Sequence, residues 1–248
     1  MSALYIMWLR QVKKYWRSKL RMVASLGQPI LYLLALGFGF SQIYQKAGGG
    51  DYLSFISVGV IAMSILFTAT FTGIEVMWGR QFGFLKEALV APVSRTKIML
   101  GRTFGGATIS VIQGLLVLLI TLIIGFRPIL IIGILLSLIF MILIGLFFTA
   151  FGTALASKMQ DMQAFPIIIN FVIMPIFFLS GSIFPLETVP KTLKIISMFN
   201  SLTYGVDGIR GALTGVSHFW LFIDFSILII LASVIITLGS YLFSKIQI

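Results

Sequence analysis

Six long apolar stretches joined by short polar connections constrain this chain more than any other feature. They run over residues 22–40, 52–78, 103–126, 129–157, 165–179 and 219–243. A helical membrane crossing takes roughly 20 apolar residues, so 248 residues leave room for six crossings and no sizeable soluble domain. The second and fourth stretches exceed a minimal crossing, which implies tilt or projection beyond the bilayer. None carries the ten-residue alternation of a membrane barrel. The sequence predicts an all-α membrane protein with six transmembrane helices.

Composition agrees. The chain is 59% hydrophobic and 10% charged, against about 25% charged in ordinary soluble domains. It has no cysteine, which removes disulfides and thiolate metal sites. A single histidine, His218, leaves no histidine-based metal site. The net charge of +11 sits beside apolar stretches, so anionic lipid headgroups, not nucleic acid, are the expected partner.

Residues 4–21 read as a helix lying on the membrane surface. Leu4, Tyr5, Trp8, Leu9, Val12, Tyr15 and Trp16 share one face at 100° per residue. Arg10, Lys13, Lys14, Arg17 and Arg21 fall opposite, with Lys19 the exception, the pattern of an interfacial helix. This segment is too long and too amphipathic for a signal-peptide leader, and 22–40 carries Gln28-Pro29 with no clear cleavage site after it. With the N-terminus inside, the inner connections hold thirteen Lys and Arg and the outer ones five. Both termini are therefore expected in the cytoplasm.

Two connections are longer than a hairpin needs, and long loops in an economical protein tend to be functional. The cytoplasmic one contains an amphipathic helix over 80–92. Phe82, Leu85 and Leu89 form its stripe, Phe84 and Ala88 lie beside it, and Arg80, Lys86 and Glu87 bear charge. Pro92 ends it and Ser94 is placed to cap the helix that follows. Such a helix suits a groove on a partner protein or the headgroup layer. The external connection is too apolar for a solvated loop and too broken by Gly181, Pro185, Pro190 and Gly205 for one crossing. Two short helices within 183–214, re-entering the outer half of the membrane, fit this pattern.

These segments, in order, resemble the ABC-2 family, the permease subunits of type 2 ABC exporters, in its daunorubicin-resistance or multidrug branch. Phe82-Gly-Phe-Leu-Lys-Glu, Ala91-Pro-Val-Ser-Arg-Thr and Gly101-Arg102 resemble its cytoplasmic coupling segment. Leu179-Ser-Gly, Phe184-Pro185, Pro190, Asn200-Ser-Leu-Thr-Tyr204 and Arg210 resemble its region before the last span. Ser201 stands where relatives commonly carry proline, a change that loosens the turn into the second external helix.

The resemblance implies a permease that docks a separate ABC ATPase through Arg80, Phe82, Phe84, Leu85, Lys86, Glu87 and Leu89. It implies a homodimer, or a pair with a paralogous permease, in the cytoplasmic membrane. It also implies an external gate near Phe184, Pro185, Pro190, Asn200, Tyr204, Asp207 and Arg210. No cofactor is expected on this chain; ATP and Mg²⁺ belong to the partner, since no G-x-x-x-x-G-K-[ST] loop occurs in the sequence. The expected substrate is amphipathic or lipid-like, with a polysaccharide or other envelope component as the alternative. A membrane assembly factor without transport is a further alternative.

Single residues carry further expectations. Glu75 and Asp224, near span ends, are expected to be locally paired or snorkelled, Glu75 by nearby Arg80. Asp207 and Arg210, three apart, are expected to form an ion pair. The small residues Gly145, Thr149, Thr153 and Ser157, and Gly101 with Gly105, are expected to let helices pack closely. An enzyme acting on lipid headgroups is disfavoured by the scarcity of carboxylates. A gradient-driven carrier is disfavoured because the charges sit at span ends.

Overall fold

A computed structural model describes residues 2–46, 51–81, 93–129, 131–159, 161 and 163–245, and these are helical with no strand among them. We number the described helices α1 (Ala3–Arg17), α2 (Lys19–Phe38), α3 (Ser41–Lys46), α4 (Tyr52–Gln81), α5 (Arg95–Ile124), α6 (Ile131–Lys158), α7 (Ala164–Phe178), α8 (Lys191–Met198), α9 (Ser201–Thr214) and α10 (Leu221–Ser244).

Five of these, α2, α4, α5, α6 and α10, are long and apolar enough to cross a membrane. The fifth apolar stretch folds as α7, whose 15 residues give about 22 Å at 1.5 Å per residue. That is short of a hydrocarbon core of about 30 Å. Its middle widens into a π turn over Ile169–Ile173, and α2 does the same over Leu33–Phe38, four residues after Pro29.

α4 is apolar on every side, which suits a helix surrounded by others. It is accordingly the most buried crossing, at 78% of its apolar window, against 17% for α2 and α10 at the periphery. It crosses α6 with the backbones nearly touching: a methyl added at Gly73 would strike Thr149 and Gly152, and one at Gly152 would strike Thr70. The small ridge of α6 is therefore spent on packing inside the chain. Thr153 Oγ1 also donates to the Thr149 carbonyl at 2.9 Å.

The N-terminal helix is docked on the bundle. Gly101 and Gly105 of α5 leave a trough that receives Leu4 and Met7, then Trp8 and Gln11. The Trp8 indole N–H donates to Thr108 Oγ1 at 3.0 Å, and the Tyr15 hydroxyl to Gln113 Oε1 at 2.6 Å. The docked strip differs from the apolar stripe read from the sequence. Gln11 is buried, whereas Tyr5 and Trp16, at 42% and 60% exposure, turn outward. The glycine trough and the two polar partners on α5 set the docked strip, and it runs aslant the apolar stripe.

At the other end, α9 is buried along most of its length against α4, α6 and α10. Asn200 caps it, accepting from the Leu202 N–H at 3.0 Å and donating to the Ile176 carbonyl at 2.6 Å. Thr203 Oγ1 and the Tyr204 hydroxyl donate back to the carbonyls of Ser197 and Met198. The turn at Ser201 is thus tied four times.

Candidate functional site

Two groups of charged residues mark the two ends of α4. The first centres on Glu75, 5% exposed, one and a half turns before Gln81. Its Oε2 lies 2.9 Å from Lys14 Nζ of α1, and its Oε1 accepts from Arg21 Nη1 of α2. Lys14 and Arg21 flank the break at Ser18, so one carboxylate fixes both arms of the elbow. The sequence suggested Arg80 as the partner because it is close along the chain; the partners come from 54 and 61 residues away. Glu75 is the one acid between Asp51 and Glu87, opposite a basic amphipathic helix, and that charge imbalance was the signal available.

Arg80 lies in the last turn of α4, and its side chain is outside the described residues, as are Phe82, Phe84, Leu85, Lys86, Glu87 and Leu89. The docking segment expected over 80–92 is therefore located only by the ends it connects, α4 and α5.

The second group lies where α9, the 179–190 connection and the start of α10 meet. Asp207, 2% exposed, accepts the backbone N–H of His218 and of Phe219 at 2.7–2.9 Å. Arg210 sends Nη2 to the Gly181 carbonyl at 2.8 Å and lays its guanidinium over the Phe55 ring at 4.1 Å. The ion pair expected between Asp207 and Arg210 does not form; each reaches a different strand of chain, so the two tie separate loops to one helix. His218 Nδ1 lies 2.7 Å from Glu187 Oε1.

Burial alone would raise the Glu187 carboxyl. Its own backbone N–H, His218 and the positive charge of Arg210 outweigh that and hold it below the usual glutamate range. Among the other expected gate residues, Phe184 is 55% exposed, Pro185 accepts from the Thr188 N–H and hydroxyl, and Pro190 precedes α8. Tyr204 is buried with its ring 5.5 Å from Phe219.

Asp224, in the first turn of α10, departs from its expected snorkelled or paired state. It is fully buried with its carboxyl against that of Asp207, and neither of its oxygens meets a basic side chain or a backbone N–H among the described residues. No cluster of three metal-ligating side chains occurs among those residues.

The sequence profile of the ABC-2 type transporter family matches residues 2–214. The chain belongs to that family. The match spans the docked α1, the α4–α6 crossing, the Glu75 group, and Glu187, Asp207 and Arg210 of the second group, and ends before His218. Among its relatives, a putative transport permease ycf38 of Pyropia yezoensis is 30% identical over 212 residues, covering 81% of this chain and 70% of that protein. A nodulation protein J of Rhizobium leguminosarum bv. trifolii is 28% identical over 196 residues, covering 78% and 74%. The ycf38 protein of Porphyra purpurea is 28% identical, covering 79% and 68%. Membership makes the chain a membrane transport permease, a type of subunit that is generally not catalytic.

Proposed function

We propose that this ABC-2 permease is the membrane half of an ATP-driven exporter in the cytoplasmic membrane. It works as a homodimer, or beside a paralogous permease, with a separate ATPase subunit on each protomer. The reading takes both termini as cytoplasmic and counts α7, extended through its turn at 179–182, as a sixth crossing. α8 and α9 then form the re-entrant external segment, and the cargo is amphipathic or lipid-like.

The Glu75 clamp carries this reading. Glu75 sits about 9 Å along α4 from the point where residues 82–92 begin. Any displacement of that segment by an ATPase therefore reaches α1, α2 and α4 together. A rigid elbow turns a local push into movement of whole helices, because packed elements shift as units. ATP and Mg²⁺ belong to the partner, and the chain's own part is to transmit the push and shape the path.

The test is co-purification of the permease with its ATPase, before and after changing Phe82→Asp and Leu85→Asp together. Loss of the ATPase with the permease still folded is the expected result. Retention of the complex by the double variant overturns 80–92 as the attachment point.

A further inference from the structure

The end of the molecule that holds Asp207 and Arg210 contains a cavity of about 160 Å³, walled by Tyr44, Phe55, Glu187, Asp207, Arg210 and His218. At about 30 Å³ per water, it would take roughly five waters. That exceeds the need of a single ion and falls below the roughly 300 Å³ at which drug-sized pockets begin.

The wall groups differ in what they have left to offer. Asp207 is spent, since its carboxylate already accepts two backbone N–H groups. Arg210 gives Nη2 to Gly181, while its Nε has no partner among the described residues. Glu187 keeps a 61% exposed side chain with one oxygen on His218. Arg210 and Glu187 feel each other's charge yet form no ion pair within 4 Å. The cavity thus holds one positive and one negative pole, kept apart.

A purely anionic guest would meet Glu187 and Asp207, and a purely cationic one would meet Arg210. A guest with both signs satisfies both poles, and the Tyr44 ring adds a face suited to an ammonium group. Val216, which also lines the cavity, is 68% exposed, and Trp220 and Phe222, a few residues further along the chain, are 79% and 76% exposed. Exposed aromatic and aliphatic side chains at this level suit the boundary between headgroups and acyl chains.

We propose that this cavity receives the zwitterionic headgroup of a membrane phospholipid, its phosphate on Arg210, its ammonium on Glu187 and its chains against the apolar rim. The proposal rests on the export reading only in placing this end at the outer leaflet.

The test is native mass spectrometry of the purified full chain in detergent. It is offered phosphatidylethanolamine, phosphatidylglycerol, diacylglycerol, and glycerophosphoethanolamine as the chain-free head. Phosphatidylethanolamine should be retained over the other three. Glu187→Gln, at an exposed side chain that leaves the core intact, should lower its retention roughly three- to fivefold while phosphatidylglycerol holds or rises.

Arg210→Gln should weaken both phospholipids. Equal retention of the two phospholipids by the unaltered chain overturns the proposal, as does a Glu187→Gln variant with unchanged preference. Displacement by glycerophosphoethanolamine at matching concentration assigns the cavity to a soluble ligand and overturns the lipid assignment. The assay contains no ATPase and no ATP, so its failure condemns this site alone, whereas failure of the unaltered permease to co-purify with its ATPase condemns the export reading alone.

Discussion

Lys14 Nζ lies 2.9 Å from Glu75 Oε2, joining the N-terminal helix to the central one across 61 residues of sequence. Arg21 takes the other oxygen of the same carboxylate. The acid is 4% exposed at its side chain and the two bases 62% and 42%, so the desolvation cost falls mainly on Glu75. Removing one partner of a buried pair costs about 3–5 kcal/mol, but solvent at the bases screens these pairs.

Glu75→Gln is therefore expected to destabilise the fold by about 1–3 kcal/mol. It should also loosen α1, seen as faster proteolysis within residues 3–17 and a lower melting temperature in detergent. A double-mutant cycle of Lys14→Met with Glu75→Gln should return a coupling of about 1 kcal/mol. Additive effects of the two changes would dismiss the clamp.

The glycine trough gives a prediction with its own control. A side chain at Gly105 of α5 would strike Gln11 and Trp8 of α1, so Gly105→Leu should undock α1 at a cost of about 1–3 kcal/mol. At Gly27 of α2, the methyl that an alanine would add has nothing within 4 Å, and Gly27→Ala should be neutral or stabilise by up to about 1 kcal/mol through helix propensity. Thermal unfolding of the two variants side by side checks both signs.

Asp224 and Asp207 are buried together with opposite degrees of satisfaction. Asp207→Ala removes the acceptor of two backbone N–H groups and should cost about 2–3 kcal/mol. Asp224→Leu removes a buried carboxyl that faces a second carboxyl, Asp207, and meets no base or backbone N–H among the described residues, so it should be neutral or stabilising by about 1–2 kcal/mol. A destabilised Asp224→Leu variant would mean that the carboxyl has a partner in the assembled protein.

What the sequence disclosed tracks which interactions are local. Apolar run length placed α4, α5, α6 and α10 because desolvation acts segment by segment. The close packing expected of Gly101, Gly105 and the Gly145–Ser157 ridge was also legible, since small residues at helical spacing allow one thing well. Charge partners distant in sequence were missed for one reason. Arg80 for Glu75 and Arg210 for Asp207 were chosen as near neighbours along the chain; the fold brings Lys14 and Arg21 to Glu75, and the backbone of 218–219 in place of Arg210 to Asp207. The stretch 165–179 reads as a crossing on its apolar run alone; its π turn over Ile169–Ile173, and the packing of Phe177 against Tyr32 and Phe67, are not encoded in sequence spacing.

The connection over 179–190 should respond to acid through Glu187. Its carboxyl is held below the usual value near 4.5, burial notwithstanding, by its own N–H, His218 and Arg210. A carboxyl depressed in the folded state stabilises it fully above the unfolded value, and that contribution is lost as pH falls through the folded value. Between pH 7 and about pH 5 this group should leave stability unchanged, and below about pH 4 the melting temperature should fall. Glu187→Gln should flatten that acid limb and lower stability slightly at pH 7, by less than about 1 kcal/mol because the side chain is largely exposed. Melting curves of both proteins from pH 7 to pH 3 check this, and an acid limb of equal depth in the variant assigns it to other carboxyls.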